Sequence, residues 1–477
     1  MTTTAVLERS PGRTFNWRPL PVLVTGTVMI VLDFFIVNVA LPSMRAALHA
    51  GASVEEWVVA GYGLSFAALL VLGGRLGDRF GRRRVLTAGL AGFGVTSALC
   101  GLAPSAEVLI AGRLMQGAAA ALVSPNILSL LGVVYTGADR VRAISVYGMA
   151  MGIAAAGGQL VGGALIQADL AHSGWRSIFL VNVPVAALAA VCAGRLVPES
   201  RSDRPGRLDW LGALLVTAGL AALVLGLVQG AALGWPWWTA AGLAAAPVLL
   251  GAFGWHQRRL ERSGEAPLIA PSLLAVPGLR RGLLTQLGFW CGQAALFLVL
   301  ALYLQDGRGL DPLQAGLVFS ILAGAYLATS LRAPALTQRL GPDLIGLGAL
   351  LLAAGEGGLA AAVAAGGPGV ALGWLVPGLV AAGAGMGLCI TPLTSVVLAR
   401  SDPVRAGAVS GLLSSMQQIG NSVGVAVTGM VYFGAARHGA GPAFEYSTLQ
   451  LGCLLTAVAA GTRLRPRPGP AATGSPS

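Results

Sequence analysis

The stretch Gly73-Gly74-Arg75-Leu76-Gly77-Asp78-Arg79-Phe80-Gly81-Arg82-Arg83-Arg84 decides the fold of this chain. It is a short charged turn between two apolar runs, at about residues 53–72 and 85–103. Each run has close to the roughly 20 residues that cross a bilayer. So short a turn makes the two predicted spans antiparallel neighbours, and its glycines permit tight backbone and close helix approach. Asp78 lies among several arginines, which predicts an ion pair.

The composition excludes a soluble domain. The 477 residues are 55% hydrophobic and only 10% charged, whereas soluble domains carry about 25% charged residues. The net charge of +12 would otherwise suggest a nucleic-acid partner. Here the arginines lie in short loops between apolar runs, so we interpret them as a signal of membrane topology and expect the lipid bilayer, with no nucleic acid, as the partner.

We count fourteen predicted membrane spans. They cover residues 20–42, 54–74, 84–103, 106–131, 141–167, 176–194, 209–230, 237–255, 282–304, 312–331, 344–365, 369–398, 404–433 and 447–463. Ser53 with Glu56 three residues later predicts a capping box, and Asp311-Pro312 and Asp402-Pro403 each predict a helix start.

Arginine counts predict the orientation. All 31 basic residues are arginine. With the N-terminus inside, 26 of them lie in cytoplasmic segments and 4 in outer ones. This asymmetry predicts a multi-pass protein of the cell membrane with both termini cytoplasmic.

The linker composition predicts the domain organisation. The expected parts are a cytoplasmic tail (1–19), a six-span bundle (20–194), a linker (195–208), an inserted two-span hairpin (209–255), a second linker (256–281), a second six-span bundle (282–463) and a disordered cytoplasmic tail (464–477). A faint repeat supports two bundles, because Arg79-Phe80-Gly81 has a counterpart in Arg339-Leu340-Gly341.

The charged turn carries a family resemblance. Its order, Gly-x-Leu-Gly-Asp-Arg-x-Gly-Arg-Arg, resembles the signature loop between spans two and three of the major facilitator superfamily of secondary transporters. Topology alone would explain arginines here but not this order. The resemblance implies an all-α integral membrane fold of two six-helix bundles. It also implies a conformational latch formed by Gly74, Gly77, Asp78, Arg79, Gly81 and Arg82.

Three ionisable residues lie inside predicted spans, where each costs at least ~2.5–3.5 kcal/mol. They are Asp33, Arg113 and Glu356. At 1.5 Å per residue, Asp33 lies ~12 Å and Arg113 ~10 Å below the predicted outer surface. The two depths match, so the side chains can pair or share a water network. Such a group changes its proton affinity with access to water or cargo, although a static structural ion pair is the alternative.

Two further segments resemble the fourteen-span drug:proton antiporters of the superfamily, the EmrB/QacA-like branch. These are Asp-x-x-x-x-Asn-x-Ala-Leu-Pro from Asp33 and Arg-x-x-Gln-Gly from Arg113. The resemblance implies that Asp33 and Arg113 couple transport to protons. Span five resembles the antiporter motif through Gly152, Gly158, Gly162 and Gly163, but Gln159 stands where the motif has proline. This departure weakens the antiporter reading.

By the same resemblance, spans one, four, nine and twelve line the substrate cavity. The candidate residues are Asn38, Gln116, Gln286, Trp290, Gln293 and Phe297. The last four follow one another at three- and four-residue steps on one helix face. Core packing is the alternative interpretation of that face. Glu356 is predicted either to have a locally satisfied or water-exposed structural role, or to serve as an accessory acid for a cationic substrate or a second proton.

Nothing in the sequence predicts chemistry on a substrate. It has no phosphate-binding loop for ATP, no metal-ligand cluster and no nucleophile–histidine–acid set, so we expect no enzyme, cofactor or metal. The five cysteines lie in apolar spans. We therefore predict a monomeric exporter of hydrophobic or cationic small molecules, such as antibiotics, in exchange for protons. The alternatives are a proton symporter on the same fold, which Gln159 favours, and a non-transporting membrane sensor or lipid-handling protein.

Overall fold

The computed structural model describes residues 17–201, 208–265, 267–341, 343–367, 369–399 and 406–463. Its helices are α1 Pro19–Ala47, α2 Ala52–Phe80, α3 Arg82–Gly101, α4 Ala106–Val134, α5 Gly137–Ala168, α6 Ser177–Leu180, α7 Asn182–Leu196, α8 Trp210–Leu233, α9 Trp237–Arg262, α10 Pro271–Leu274, α11 Pro277–Leu302, α12 Pro312–Leu340, α13 Asp343–Gly366, α14 Leu372–Ala399, α15 Ala406–Ala436 and α16 Ala440–Arg463. Two 3₁₀ turns, Leu170–His172 and Gly174–Arg176, precede α6, and a π-helical turn, Tyr303–Gly307, continues α11.

The described helices make this a multi-pass α-helical membrane protein. Twelve helical segments are long and apolar enough to cross a bilayer, when the run Gly174–Leu196, which contains α6 and α7, is counted as one. A thirteenth span is added if the two halves of α5, bent by 47°, are counted together. The helix α16 lies over the last predicted span but is not among these twelve. The count of fourteen therefore stays a prediction.

The predicted helix starts have mixed outcomes. Asp311 caps α12 by accepting a hydrogen bond from the Gln314 backbone, and the Gln314 side chain bonds back, as a capping box requires. The capping box predicted at Ser53 and Glu56 is wrong, because α2 begins at Ala52 without a side-chain cap. Asp402-Pro403 lies outside the described residues, as do most of the predicted N-terminal tail (1–16), part of the first linker (202–207) and the predicted disordered tail (464–477).

Most helix contacts fall into two groups. Helices α1–α5 and α7 pack against one another, and α11–α16 do the same. Two broad contacts join the groups, α5 on α12 and α2 on α15. The hairpin α8–α9 attaches through α8, which packs against both α2 and α15.

The bundle has two ends, the turn end and the far end. The turn end carries the connection between α2 and α3. The far end carries the connections α1–α2 and α3–α4 and the π-helical turn Tyr303–Gly307. Small residues bring helices close together within each half: a methyl group at Gly73 of α2 would overlap the backbone carbonyl of Ala121 in α4. This close approach positions the polar side chains that α2 and α4 carry into the interior.

Candidate functional site

The two ionisable residues of spans one and four meet in the interior. Arg113 Nη1 lies 2.6 Å from Asp33 Oδ2, and both side chains are 0% exposed. Asp33 lies in α1 and Arg113 in α4. Removing two charges from water costs several kcal/mol per ion unless close geometry and additional hydrogen bonds compensate. The surroundings of the pair therefore decide whether both groups can stay charged.

The carboxylate of Asp33 accepts three side-chain hydrogen bonds, including the one from Arg113. Gln116 Nε2 donates to Asp33 Oδ1 at 3.0 Å, and Asn182 Nδ2 donates to the same oxygen at 2.8 Å. Gln116 also accepts from Arg113 Nη1 at 2.6 Å and donates to Ser97 Oγ at 2.7 Å. These bonds join α1, α3, α4 and α7 in one buried network, which satisfies a charged Asp33.

The guanidinium of Arg113 is held on its other side by residues of α2 and α6. Its Nε donates to the Val58 carbonyl at 2.9 Å. The guanidinium carbon lies 4.3 Å from the ring centroid of Tyr62 and 5.7 Å from that of Phe179. Aromatic faces attract cations in such geometry. These contacts add to the bonds with Asp33 and Gln116 in positioning the guanidinium of Arg113.

Sequence reasoning missed two members of this network, Ser97 and Asn182. Asn182 lies in an apolar run of the predicted span six. A single amide side chain within that run was the signal in the sequence that pointed to a buried polar contact. Gln116 was predicted to line the substrate cavity, and the structure places its side chain in the Asp33 network. Asn38, predicted to line the same cavity, is buried in α1 and donates to the Phe34 and Phe35 carbonyls of its own helix.

The predicted face of span nine is buried inside the protein. Gln286, Trp290, Gln293 and Phe297 all lie on α11. The side-chain oxygens of both glutamines and the indole nitrogen of Trp290 have no hydrogen-bond partner among the described residues. Phe297 packs against Phe35 of α1, with ring centroids 5.0 Å apart, and stacks on Phe319 of α12 at 5.5 Å. The face thus brings unpartnered polar atoms into the interior close to α1.

The signature stretch is largely helical, which corrects its interpretation as a turn. The helix α2 continues to Phe80 and α3 begins at Arg82, so Gly81 alone separates them. Gly81 has φ 109°, a value that favours glycine. Gly77 leaves room for the side chain of Asn126 on α4. Gly74 faces Pro125 of the same helix.

The predicted ion pair of Asp78 is confirmed, and its partner is Arg82. Arg82 Nη2 lies 2.8 Å from Asp78 Oδ1, and Arg82 Nη1 donates to Ser200 Oγ at 3.0 Å. The backbone of Arg83 donates to Glu199 at 3.0 Å. Arg79 lies over the ring of Phe80, 5.7 Å from its centroid. The signature stretch is therefore bound to the linker that follows the first group of helices.

The inserted hairpin is anchored near the same end. Asp209 caps α8 through the backbone of Gly212 and accepts hydrogen bonds from His256 at 2.7 Å and Gln257 at 2.6 Å. Burial alone would raise the pKa of Asp209, but the bonds from Gln257, Gly212 and His256 hold that pKa below its ordinary value. Arg75 of the signature stretch donates to the Pro267 carbonyl in the segment after α9.

The glycines of α5 let it pack closely on two helices. Methyl groups at Gly158 and Gly162 would crowd Phe35 and Ile36 of α1, and one at Gly163 would overlap the backbone of α12 at Pro312. Gly152 faces Tyr326 of α12. The side chain of Gln159 is 1% exposed, and neither polar atom of its amide has a partner among the described residues.

Glu356 lies on α13, away from the Asp33 network. Its side chain is wholly buried, and neither carboxyl oxygen has a hydrogen-bond partner among the described residues. The structure shows neither the local partner nor the exposure that the structural alternative predicted. No group of three potential metal ligands occurs among the described residues. A surface groove of about 410 Å³ lies between α12 and α14, beside Gln314 and Leu317.

The described helices form a polytopic membrane protein with a buried charge network in its interior. The sequence profile described as Major Facilitator Superfamily matches residues 23–425. This chain therefore belongs to the major facilitator superfamily, and it is a transporter and not an enzyme.

Curated relatives at 33–39% identity span most of the chain. The "Probable actinorhodin transporter" of Streptomyces coelicolor is 39% identical, with 88% of this chain and 73% of that protein covered. The "Puromycin resistance protein pur8" of Streptomyces alboniger is 36% identical, with 90% and 85% covered. The "Drug efflux pump JefA" of Mycobacterium tuberculosis is 35% identical, with 87% and 81% covered. The chain is similar to these bacterial proteins over nearly its whole length.

Solved structures show the same fold at low sequence identity. A POT family transporter in complex with a thioalcohol-conjugated peptide matches with a TM-score of 0.69 at 14% identity, over 93% of this chain and 95% of that one. A D-xylose-proton symporter matches with a TM-score of 0.67 at 16% identity, over 94% and 98%. At these identities the likeness establishes the fold alone.

Proposed function

We propose that this protein exports hydrophobic or cationic small molecules, antibiotics among them, in exchange for protons. One observation carries the proposal: the buried carboxylate of Asp33 is held by Arg113, Gln116 and Asn182. The names of its relatives, which include an antibiotic transporter, a resistance protein and an efflux pump, support export as the direction.

A proton on Asp33 changes the electrostatics of the network. With Asp33 charged, the pair with Arg113 is neutral overall. A proton on Asp33 removes one charge and leaves the cation of Arg113 buried without its counter-ion, which is costly. A conformation that admits water hydrates the cation of Arg113 and so lowers the free energy of the protonated network. Proton binding thus favours one conformation over the other, as coupling requires.

A cationic cargo would act on the same network in the opposite sense. A positive group near Asp33 stabilises the carboxylate and disfavours the proton. Proton and cargo then bind in alternation, which is the condition for exchange. The unpartnered polar atoms of Gln286, Trp290 and Gln293 are the proposed cargo contacts on α11. Asn38 and Phe297 are the other proposed contacts. Glu356 is proposed as an accessory acid.

We propose that the two groups of helices, residues 20–194 and 282–463, move as two bundles about this interior. The hairpin of residues 209–255 is inserted between them. The pairing of Asp78 with Arg82, together with Gly74, Gly77, Arg79 and Gly81, forms the latch of the turn end. Gly152, Gly158, Gln159, Gly162 and Gly163 of α5 form the contact on which the bundles turn.

The proposed orientation follows the arginines. The turn end faces the cytoplasm and both termini lie on that side, in the cell membrane. The far end then opens to the outside. The protein acts as a monomer with the bilayer, protons and its cargo as partners.

Proteoliposomes with an acidified lumen and an internal pH dye test this proposal. Adding a transported lipophilic cation or antibiotic is expected to release protons from the lumen, and Asp33→Asn is expected to abolish the release. Glu107→Gln serves as a control, because Glu107 is exposed at the start of α4. Proton release that persists in Asp33→Asn would remove Asp33 from the mechanism.

Symport is the second candidate, because Gln159 occupies the proline position of the antiporter motif. The same proteoliposomes separate the two. If compound and proton cross in the same direction, the protein is a symporter. If no compound moves protons, coupling itself is refuted.

A further inference from the structure

A second group of ionisable side chains lies at the far end, apart from the Asp33 network. We call it the far-end cluster; it consists of Arg45, Glu55, Glu56, Asp306 and Tyr432. Arg45 Nη2 lies 2.6 Å from Asp306 Oδ2, and Arg45 Nη1 lies 3.2 Å from Glu55 Oε1. Arg45 and Glu55 belong to the first group of helices and Asp306 to the π-helical turn of the second. The cluster therefore ties the two groups together.

Glu56 differs from the other acids of the far-end cluster. Its side chain is 3% exposed, and Oε2 has no hydrogen-bond partner among the described residues. The carboxyl group lies against Gly429 of α15, where a methyl group would be 2.6 Å from Glu56 Cδ. The missing side chain of Gly429 thus forms the recess that holds this carboxyl group between the two groups of helices.

The charges of the cluster do not balance. Three carboxyl groups, on Glu55, Glu56 and Asp306, accompany the single guanidinium of Arg45. That guanidinium contacts two of the acids, and Glu56 is absent from every salt bridge of the described residues. A buried carboxylate without a cation or hydrogen bonds is so costly that the group neutralises instead. The closed far end therefore requires a protonated Glu56.

Among the described residues, no helix packed against α2 pairs another cation with Glu56: α1 contributes only Arg45, and the arginines of α3 lie at the turn end. The helix α15 contributes Tyr432, which lies within the far-end cluster, and α8 carries no titratable residue along its length. At this end α4 contributes the exposed Glu107, and deeper in the interior Arg113, which is bound in the Asp33 network. For the carboxyl group of Glu56 itself, a bound proton is the remaining way to avoid a buried unpaired charge.

We propose that Glu56 is a second proton-binding site and that its protonation is required for the far end to close. When the two groups of helices separate there, Glu56 leaves the recess at Gly429 and meets water, where a carboxylate is stable at neutral pH. Closing the far end again takes up a proton from the solution on that side. This inference rests on the proposed alternation between two conformations, but not on proton coupling at Asp33.

A distance measurement across the far end tests the inference without cargo. Nitroxide labels at positions 47 and 436, both exposed helix ends, are introduced into a chain whose five cysteines are replaced by alanine. Pulsed electron spin resonance then gives the populations of short and long distances as a function of pH. Because closing binds one proton, the ratio of open to closed molecules is expected to rise by up to about tenfold per pH unit.

Substitutions assign this response to Glu56. Glu56→Gln, which keeps the shape of the side chain without its charge, is expected to hold the far end closed at every pH. Glu107→Gln removes an exposed acid from the same end and is expected to keep the response of the parent chain. Gly429→Ala fills the recess and is expected to raise the open population.

Several results would overturn the inference. An open-to-closed ratio that does not change with pH in the parent chain would do so, as would an unchanged response in Glu56→Gln. If Glu56→Gln does not fold, two other variants decide. The inference then requires that the open-to-closed ratio still changes with pH in Glu56→Asp, and that Gly429→Ala raises the open population. Proteoliposomes in which no compound moves protons would refute the proposed function alone, because the distance measurement uses no cargo.

Discussion

Each half of this transporter buries an acid completely, and the two acids have opposite surroundings. Asp33 in α1 accepts hydrogen bonds from Arg113, Gln116 and Asn182. Glu356 in α13 has no partner on either oxygen among the described residues. The comparison teaches that burial alone does not define a proton-coupling site. The network around Asp33 supports its charged form, whereas Glu356 is confined to the neutral form while it remains buried.

The largest expected effect comes from removing the cation of the first half. Arg113→Met leaves the carboxylate of Asp33 buried without its counter-ion, so we expect a loss of about 3–5 kcal/mol in stability. Thermal unfolding of the purified protein in detergent measures this loss. Arg142→Met is the control, because Arg142 is exposed. The double variant Asp33→Leu/Arg113→Met is expected to recover most of the loss, and an equally unstable double variant would contradict this account of the pair.

A smaller effect is expected from one of the neutral donors. Asn182→Ala removes a hydrogen bond to a charged oxygen, which we expect to cost about 1–3 kcal/mol by the same thermal measurement. Ser97→Ala is the matched control, since Ser97 contacts Gln116 and not the carboxylate. If the two substitutions cost the same, Asp33 would not depend on its direct donors.

The smallest effect is expected in the second half. Glu356→Gln replaces a neutral carboxyl group by an amide of similar shape, and such volume-conserving changes cost under about 1.5 kcal/mol. Thermal unfolding should therefore show a much smaller loss of stability for Glu356→Gln than for Arg113→Met. A loss as large as that of Arg113→Met would mean that Glu356 is charged and has a partner, and the contrast between the halves would fail.

The sequence alone was sufficient to predict the features that depend on the length of an apolar run or on the depth of a residue in the membrane. The apolar runs gave the helices of the membrane domain, and the matched depths of Asp33 and Arg113 brought together two residues that are paired in the structure. Ser97 and Asn182 could not be selected in this way. A lone small polar residue in an apolar run has the same pattern whether it bonds a carboxylate or its own helix, as Asn38 does.

Glu56 and the signature stretch show a second limit of prediction from the sequence. The Ser-x-x-Glu pattern at Ser53 is the same for a helix cap and for an acid that packs between two helices, and only the position of Gly429 distinguishes them. The charged stretch from Gly73 is predicted to be a turn because it separates two apolar runs, and its glycines fit both tight backbone and close helix approach. The structure keeps it helical to Phe80, since those glycines serve close packing against α4.

The helix α8 makes the two broad contacts between the groups of helices different from each other. At one of these contacts α2 meets α15 and α8 packs against both; at the other α5 meets α12, and none of the described helices packs broadly against both of these. A parting of the halves would therefore expose the interior to lipid mainly along α5 and α12. A cargo dissolved in the bilayer would reach the interior through one lateral opening between α5 and α12. Gly163 and Gly316 would lie at the edge of that opening.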